Sequence, residues 1–334
     1  METIAFYSYK GGVGRSLLLA NVAKFLAERG DRVVAIDFDF EAPGLHYKFG
    51  RAEKVQQNID RGVVPYLNLS LAGVTRLASH LISIPVKSRK GGWLKLMPAG
   101  PAPSREYWSA LKSLGVHLRL DDPSGRGFMA LLDLQARIAK EFNPDYLLID
   151  ARTGITELGG LATTILADSV VCVFTGSLES IDGTTVVVEA LKAARTLSKG
   201  QTIRVVPVLS RVTAQMPGDP QFRSAWQRLI AITQMRFFAA FPQDATVDVS
   251  GDLFSTAFDG LGSVVALPRE KPPRNYREFF QSVFPPRRSK TIKSSKSLAT
   301  SDRRLNHPTA TAEHSPEPAD AVSPAHKHKR TSTK

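Results

Sequence analysis

Residues 3–16, TIAFYSYKGGVGRS, join an apolar run to a loop with three glycines in four positions. Residues 3–8 are rich in β-branched and aromatic side chains, which predicts a buried strand. From Arg15 to Arg29 apolar residues recur at helical spacing, and Gly30 follows as a C-cap. The segment therefore predicts a strand, a glycine loop and a helix in that order.

This order suits the binding of an anion. A helix N-terminus carries unpaired N–H groups and about half a positive charge. Glycines let further backbone N–H groups close around a phosphate. We therefore expect the loop to hold phosphate.

The loop departs from the ordinary P-loop, GxxxxGK[ST], because Tyr9 stands at its first Gly and Arg15 at its Lys. Residues 10–16, KGGVGRS, instead resemble the deviant Walker A motif, KGGxGK[ST]. That motif belongs to the ParA/MinD family of P-loop ATPases, which carry the CobQ/CobB/MinD/ParA nucleotide-binding domain of the SIMIBI class. Lys10 stands at the family's signature lysine, and Arg15 is the one departure.

Two further segments carry the resemblance. Residues 32–36, RVVAI, predict a second buried strand. The segment that follows it, DFDFEAPGL at residues 37–45, is similar to the family's DxDxxxxG. Residues 145–150, DYLLID, form an apolar strand ending in an acid, which is the Walker B form. Its candidate acid is Asp150.

Strands alternate with helices through the rest of the chain, which predicts an α/β fold: a doubly wound, mostly parallel sheet with helices on both faces. Residues 66–84 fit either a helix or short strands. The expected strands are 93–97, 169–174 and 203–209, with short ones at 246–250 and 263–267; the expected helices are 128–142, 178–197, 220–241 and 275–284.

We expect a P-loop NTPase domain at 1–284 and a disordered basic tail at 285–334, because large apolar residues almost vanish after Pro286. The chain has a net charge of +13, and residues 286–334 contribute +7 from eleven Lys or Arg and four Asp or Glu. Such a tail can contact DNA non-specifically. The alternative is a solubilising tail without a partner.

The composition argues against a membrane-spanning protein and against a protein that depends on cysteines. No apolar run reaches the roughly 18 residues of a membrane span and no signal-like segment begins the chain, so we expect a cytoplasmic protein without a transmembrane segment. The single cysteine, Cys172, lies in an apolar strand and suggests packing. Disulfides within the chain and cysteine-rich metal sites are excluded.

The resemblance implies ATP and Mg²⁺ bound between two protomers, a homodimer formed upon ATP binding, and an unknown protein partner. Hydrolysis by an ATPase of this kind would reset the dimer. The implied nucleotide-binding residues are Lys10, Gly11, Gly12, Val13, Gly14, Arg15, Ser16, Leu17, Ser210 and Arg211.

It also implies individual roles. Lys10 would reach the partner's phosphates as a catalytic residue, and Asp39 would orient the attacking water. Ser16, Asp37 and Asp150 would hold Mg²⁺, directly or through water. Because Arg15 keeps the charge of lysine but changes its shape, we expect nucleotide binding with slow turnover.

Two positions leave choices open. Arg152, in the segment expected to sense the γ-phosphate, suits either a phosphate contact or a surface ion pair. Ser210 stands where the family often has an Asn that contacts adenine, so GTP remains an alternative to ATP.

Several relatives are excluded. Nitrogenase iron proteins and Mrp-type carriers need paired cysteines, bacterial tyrosine kinases need a C-terminal tyrosine cluster, and signal-recognition GTPases use the ordinary P-loop. Three functions remain: a ParA-like switch that positions DNA or another cargo, a nucleotide-sensing regulatory subunit with little hydrolysis, and a ligase-like metabolic ATPase.

Overall fold

The computed structural model describes residues 1–50, 61–73, 76–88, 90–115, 125–194, 200–213, 216–233, 239–242 and 276–286, all of them within one compact unit, Met1–Pro286. The strands are β1 Glu2–Tyr7, β2 Arg32–Asp37, β3 Ile82–Ile84, β4 Trp93–Met97, β5 Tyr146–Asp150, β6 Ser169–Phe174, β7 Arg204–Val212 and β8 Ala239–Pro242. The helices are α1 Arg15–Arg29, α2 Leu45–Lys48, α3 Val63–Leu71, α4 Arg105–Gly115, α5 Arg126–Phe142, α6 Glu157–Gly160, α7 Leu178–Ala193, α8 Pro220–Thr233 and α9 Tyr276–Val283. Short 3₁₀ turns occur at Leu77–His80 and Met216–Gly218, and a π-helical segment at Leu161–Leu166.

The strands form one sheet in the order β3-β4-β2-β5-β1-β6-β7-β8. All neighbouring strands run parallel except β3, which pairs antiparallel with β4. Helices cover both faces, since successive residues of β1 enter different cores. Ile4 and Phe6 pack with α1 and α9, whereas Ala5 and Tyr7 pack with α3 and α5. The predicted doubly wound, mostly parallel α/β fold is confirmed.

The end of α1 shows how the sequence sets the path of the chain. Gly30 has φ +115°, a left-handed conformation that favours glycine, and its N–H bonds back to Ala27 O. Beside it, Phe25 packs against Phe280 of α9 with ring centroids 5.6 Å apart. The final helix is thereby attached to the end of α1 that lies farthest from the glycine loop.

The predicted helix over 220–241 is wrong in its last part. The helix ends at Thr233, and Ala239–Pro242 forms a strand that pairs with β7 at Val208 and Leu209. The apolar run there fits either element, and the open edge of β7 provides the hydrogen bonds that favour a strand. The ambiguous residues 66–84 contain the end of α3, a 3₁₀ turn and β3.

Other expectations lie outside the described residues. They are the strands at 246–250 and 263–267 and the tail beyond Pro286. The boundary between an NTPase domain and a disordered tail therefore stays a prediction. The helix predicted over 178–197 is wrong at its end, because it stops at Ala193 and Ala194 is already extended, with φ −74° and ψ 152°.

The only cysteine of the sequence lies in a buried strand. Cys172 is 1% exposed in β6, and its desolvated surroundings raise the pKa of the thiol to about 12. We expect no reaction of the native protein with DTNB at pH 8 over an hour, and one equivalent after denaturation. Fast labelling of the native protein, with circular dichroism confirming that it is folded, would contradict this.

Candidate functional site

The topology gathers the predicted site at the carboxyl ends of the three central strands. Asp150 at the end of β5 lies in register with Phe6 of β1 and with Asp37 of β2. The glycine loop follows β1 directly and leads into α1. Ligands of open parallel sheets bind at this edge.

The loop has the conformation and the open space that an anion requires. Gly12 and Gly14 have φ of +73° and +88°, values that side chains rarely adopt. A Cβ added at Gly11 or Gly12 would meet no atom within 4 Å, so the space beside the loop is open. The first turn of α1 follows at once and directs its unpaired N–H groups there.

Arg15, the one departure from the motif, is buried and bonded to two acids. Only 6% of its surface is exposed. Its Nε donates to Asp150 Oδ1 at 2.5 Å, and its Nη2 donates to Asp39 Oδ2 at 3.0 Å. Burial by itself lowers the pKa of the guanidinium, but the two carboxylates outweigh it and raise that pKa. The guanidinium is therefore a fixed positive charge between the two predicted catalytic and metal-binding acids.

The third nitrogen of Arg15, Nη1, is buried and has no hydrogen-bond acceptor among the residues that the structure describes. A buried donor left unsatisfied costs about 1–3 kcal/mol. An anionic oxygen bound at the loop would remove this cost, and such an oxygen is what a nucleotide phosphate supplies.

Asp37 is held by the backbone that follows it. Its Oδ1 accepts from the N–H of Asp39, and its Oδ2 accepts from those of Gly44 and Leu45, each at 3.1 Å. Complete burial and the nearby charge of Asp150 raise the pKa of Asp37 to about 8. Asp37 therefore organises the loop that carries Asp39, and its expected support of Mg²⁺ through water stays a prediction.

Asp150 and Ser16 lie together. Burial raises the pKa of Asp150, while the charge of Arg15 and a hydrogen bond from Ser16 oppose that rise. A hydroxyl beside a carboxylate offers the hard oxygen ligands that Mg²⁺ prefers. In the described ranges, however, no group of three or more His, Cys, Asp or Glu side chains is arranged to hold a metal ion.

These residues fit ATP with Mg²⁺. The unsatisfied Arg15 Nη1 and the open glycine loop fit the phosphates. Ser16 and Asp150 supply oxygen ligands, with phosphate oxygens and water left to complete the shell.

The two residues before the glycines, Tyr9 and Lys10, contact helix α7. Lys10 Nζ forms an ion pair with Glu179 in the first turn of that helix. A Cβ added at Gly183, one turn further along, would overlap the ring of Tyr9. The aromatic ring therefore packs directly on the helix backbone and fixes the position from which Lys10 extends.

Replacing Gly183 with alanine should displace Tyr9. Because an added methyl overlaps the ring, we expect the free energy of unfolding to fall by about 1–3 kcal/mol, as in other overpacked sites. Thermal or urea unfolding measures this. The matched control is the same substitution in a Tyr9→Ala background, where the cost should largely disappear; an equal cost in both backgrounds would contradict the contact.

Arg152 forms an ion pair with Glu41, and its contact with a phosphate stays a prediction. Its segment still adjoins the site, because Gly154 N donates to Ser8 O at 3.2 Å just before the loop. Ser210 lies beside the loop as well: a Cβ added at Gly14 would be 3.6 Å from its Oγ.

Ser210 and Arg211 occupy an irregular part of β7. The pairing with β8 shifts register between Leu209 and Val212, and Arg211 has φ +54°. Bulges next to sites redirect side chains out of the sheet. Their contact with a base stays a prediction.

Sequence reasoning missed Glu179 and Gly183. A partial signal existed, since residues that follow a strand of a parallel sheet lie at the same edge as the glycine loop. Neither residue belongs to a motif, however, and the overlap of Gly183 with Tyr9 appears only in three dimensions.

The sequence matches the family model of the CobQ/CobB/MinD/ParA nucleotide binding domain over residues 4–248. A curated relative is the septum site-determining protein MinD of Helicobacter pylori, 38% identical over 72 residues. That segment covers 22% of this chain and 27% of the relative, so the chain aligns with little more than a quarter of that protein.

Solved structures show the same fold. The MinD protein of Pyrococcus horikoshii, complexed with Mg-ADP, has a TM-score of 0.55 at 18% identity, covering 85% of this chain and 96% of its own. A variant of McdA from Cyanothece in complex with ATP has a TM-score of 0.54 at 16% identity, with 84% and 95% covered. Across the described residues, no helix is both long and apolar enough to cross a membrane.

Proposed function

Because the chain belongs to the CobQ/CobB/MinD/ParA family of nucleotide-binding domains, we propose that it binds and slowly hydrolyses ATP with Mg²⁺ as a dimerisation switch. The observation that carries the proposal is the cluster of Arg15, Asp39 and Asp150 at the glycine loop. One buried cation and two acids at the mouth of a phosphate loop form the charge arrangement that phosphoryl transfer uses. Two proteins of the same fold, the Pyrococcus horikoshii MinD and the Cyanothece McdA variant, are complexed with Mg-ADP and with ATP.

The chain's own residues divide the work. The N–H groups of the loop and the Arg15 guanidinium bind and neutralise the phosphates. Ser16 and Asp150 would hold Mg²⁺, which would polarise the phosphate oxygens when bound. Asp39, 14% exposed at its side chain, has access to water and accepts a proton or orients the attacking molecule.

Lys10 supplies the contact between protomers. Its side chain is 41% exposed and, within the described ranges, forms an ion pair with Glu179, itself 69% exposed. An exposed pair of this kind contributes roughly 0–1 kcal/mol, so it breaks readily when a stronger anion is offered. The phosphates of a facing protomer are such an anion, and their contact with Lys10 makes dimerisation depend on ATP.

The basic residues 286–334 suggest what the switch contacts. The net charge of +7 in residues 286–334 favours non-specific contact with DNA, with an unidentified protein as the regulated partner. We place the protein in the cytoplasm, where ATP and DNA are both available to it.

A second function, nucleotide sensing with little hydrolysis, is favoured by the same guanidinium. Arg15 already bonds to Asp39, the residue proposed to orient water. If that bond persists with nucleotide bound, water activation is suppressed and the protein reports occupancy only. GTP is an alternative to ATP as the ligand of such a sensor, because Ser210 stands where the family often has an Asn that contacts adenine.

Light scattering coupled to size-exclusion chromatography tests the proposal. Wild type and Asp39→Ala are compared without nucleotide, with ADP and with ATP plus Mg²⁺, and phosphate release is followed in the same samples. We expect ATP to produce a dimer that Asp39→Ala traps while its hydrolysis stops. Asp182→Ala is the control, because this exposed acid pairs with Arg228 on the surface of α7.

Two outcomes contradict the switch. Binding of ATP without dimerisation or cleavage would favour the sensor. Absence of nucleotide binding altogether would reject both functions.

A further inference from the structure

The guanidinium of Arg15 contacts the two acids through one edge. Nε and Nη2 are neighbours on the planar group, and each bonds to a different carboxylate, Asp150 and Asp39. An ammonium has one nitrogen and no fixed plane, so a lysine at this position cannot reproduce the arrangement. The planar group therefore sets the position of each acid relative to the other.

The opposite corner of the same plane carries Nη1, which is buried and meets no acceptor in the described part of the chain. Because the guanidinium is rigid, an acceptor bound by Nη1 fixes the orientation of the edge that holds the acids. A phosphate at the loop and the two acids would then be parts of one planar hydrogen-bonded unit.

The third acid of the site is not part of this unit. Asp37 is satisfied by the N–H groups of Asp39, Gly44 and Leu45. It therefore fixes the backbone at Asp39, while Arg15 fixes the Asp39 side chain. In the described part of the chain, the side-chain hydrogen bond to that carboxylate comes from Arg15.

We infer that Arg15 is a positioning residue that couples phosphate binding to Asp39: Nη1 receives the phosphate while the opposite edge aligns Asp39 and Asp150. The inference deepens the proposed function and rests on its claim that the loop binds nucleotide. The replacement of the motif's lysine by Arg15 then has a function. Binding of phosphate at the loop is transmitted through the Arg15 side chain to Asp39, the acid proposed to orient water.

A double-mutant cycle tests the coupling without relying on turnover. Wild type, Arg15→Lys, Asp39→Asn and the double variant are titrated with a fluorescent, non-hydrolysable ATP analogue and Mg²⁺. We expect the effect of Asp39→Asn on the dissociation constant to differ at least threefold between the arginine and lysine backgrounds. Thermal unfolding of the four nucleotide-free proteins should show coupling as well.

Arg32 provides a matched control. It pairs with Asp145 through the same guanidinium edge, both distances being 3.1 Å, at the opposite end of β2 and β5. Arg32→Lys combined with Asp39→Asn should show no coupling in either measurement.

The outcomes separate the inference from the function it rests on. If all four proteins bind the analogue and the two Asp39→Asn effects agree within threefold, the coupling is rejected while nucleotide binding stands. If none of the four binds the analogue, both are rejected. Coupling of the Arg32 control equal to that of Arg15 would also overturn the assignment, since the effect would then be general.

Discussion

Replacement of Lys10 by alanine should lower ATP hydrolysis at least a hundredfold while leaving the free energy of unfolding almost unchanged. The expected size follows from residues that stabilise transferring phosphate from a neighbouring subunit, which contribute about 10³–10⁵ in rate. The unchanged stability follows from exposure, because the ion pair of Lys10 with Glu179 lies at the surface. Phosphate release and urea unfolding, measured on the same preparation, check both parts.

Glu179→Gln is the matched control for Lys10→Ala, since it breaks the same ion pair but keeps the lysine. It should retain hydrolysis, and ATP-dependent dimerisation should occur at equal or lower nucleotide concentration because Lys10 is released. If Glu179→Gln lost hydrolysis as completely as Lys10→Ala does, the ion pair itself would be the active element, and the proposed contact across the dimer would be wrong.

Replacement of Asp150 by alanine should destabilise the nucleotide-free protein by about 3 kcal/mol, the low end for breaking a buried ion pair. Asp150 is 1% exposed, and its loss leaves the Nε of a buried guanidinium without an acceptor. Two effects keep the cost from being larger: Arg15 retains Asp39, and the charge that disfavours ionisation of Asp37 disappears. Urea unfolding without nucleotide measures the change.

The loss of free energy of unfolding in Asp39→Ala can be compared directly with that in Asp150→Ala, because each substitution removes one of the two carboxylates bonded to Arg15. Because Asp39 is 14% exposed at its side chain and its bond is longer, water can replace it, and we expect a smaller cost than for Asp150→Ala. The reverse order would show that Asp39 provides most of the stabilisation of the guanidinium.

Much of the fold could be predicted because its signals are local. Helix α1 begins at Arg15 and ends before Gly30 as expected, since glycines mark both ends. Strand β4 occupies the predicted residues, since its alternation is unambiguous. The helix predicted through 241 failed at Ala239–Pro242, where a partner strand decides between two elements that the apolar pattern fits equally.

The sequence predicts which residues lie at the site, but it does not predict which of them are bonded to each other. Motif spacing places Arg15, Asp39 and Asp150 at one edge of the sheet, but spacing does not show which acid the guanidinium contacts. Arg152 illustrates the same limit, because its partner Glu41 is 111 residues away in sequence. Such pairs depend on how loops pack after the sheet has formed, and no local pattern encodes that.

The short strand β3 affects how copies of this protein can associate. It lies at an edge of the sheet, pairs with β4 over three residues, and is followed by Pro85, which has no N–H to donate. Exposed edges invite strand addition from other chains, and natural proteins limit this with short strands and prolines. An edge so short offers a second copy almost no ladder to extend. Joining of two sheets through β3 is therefore disfavoured, which protects this edge from aggregation.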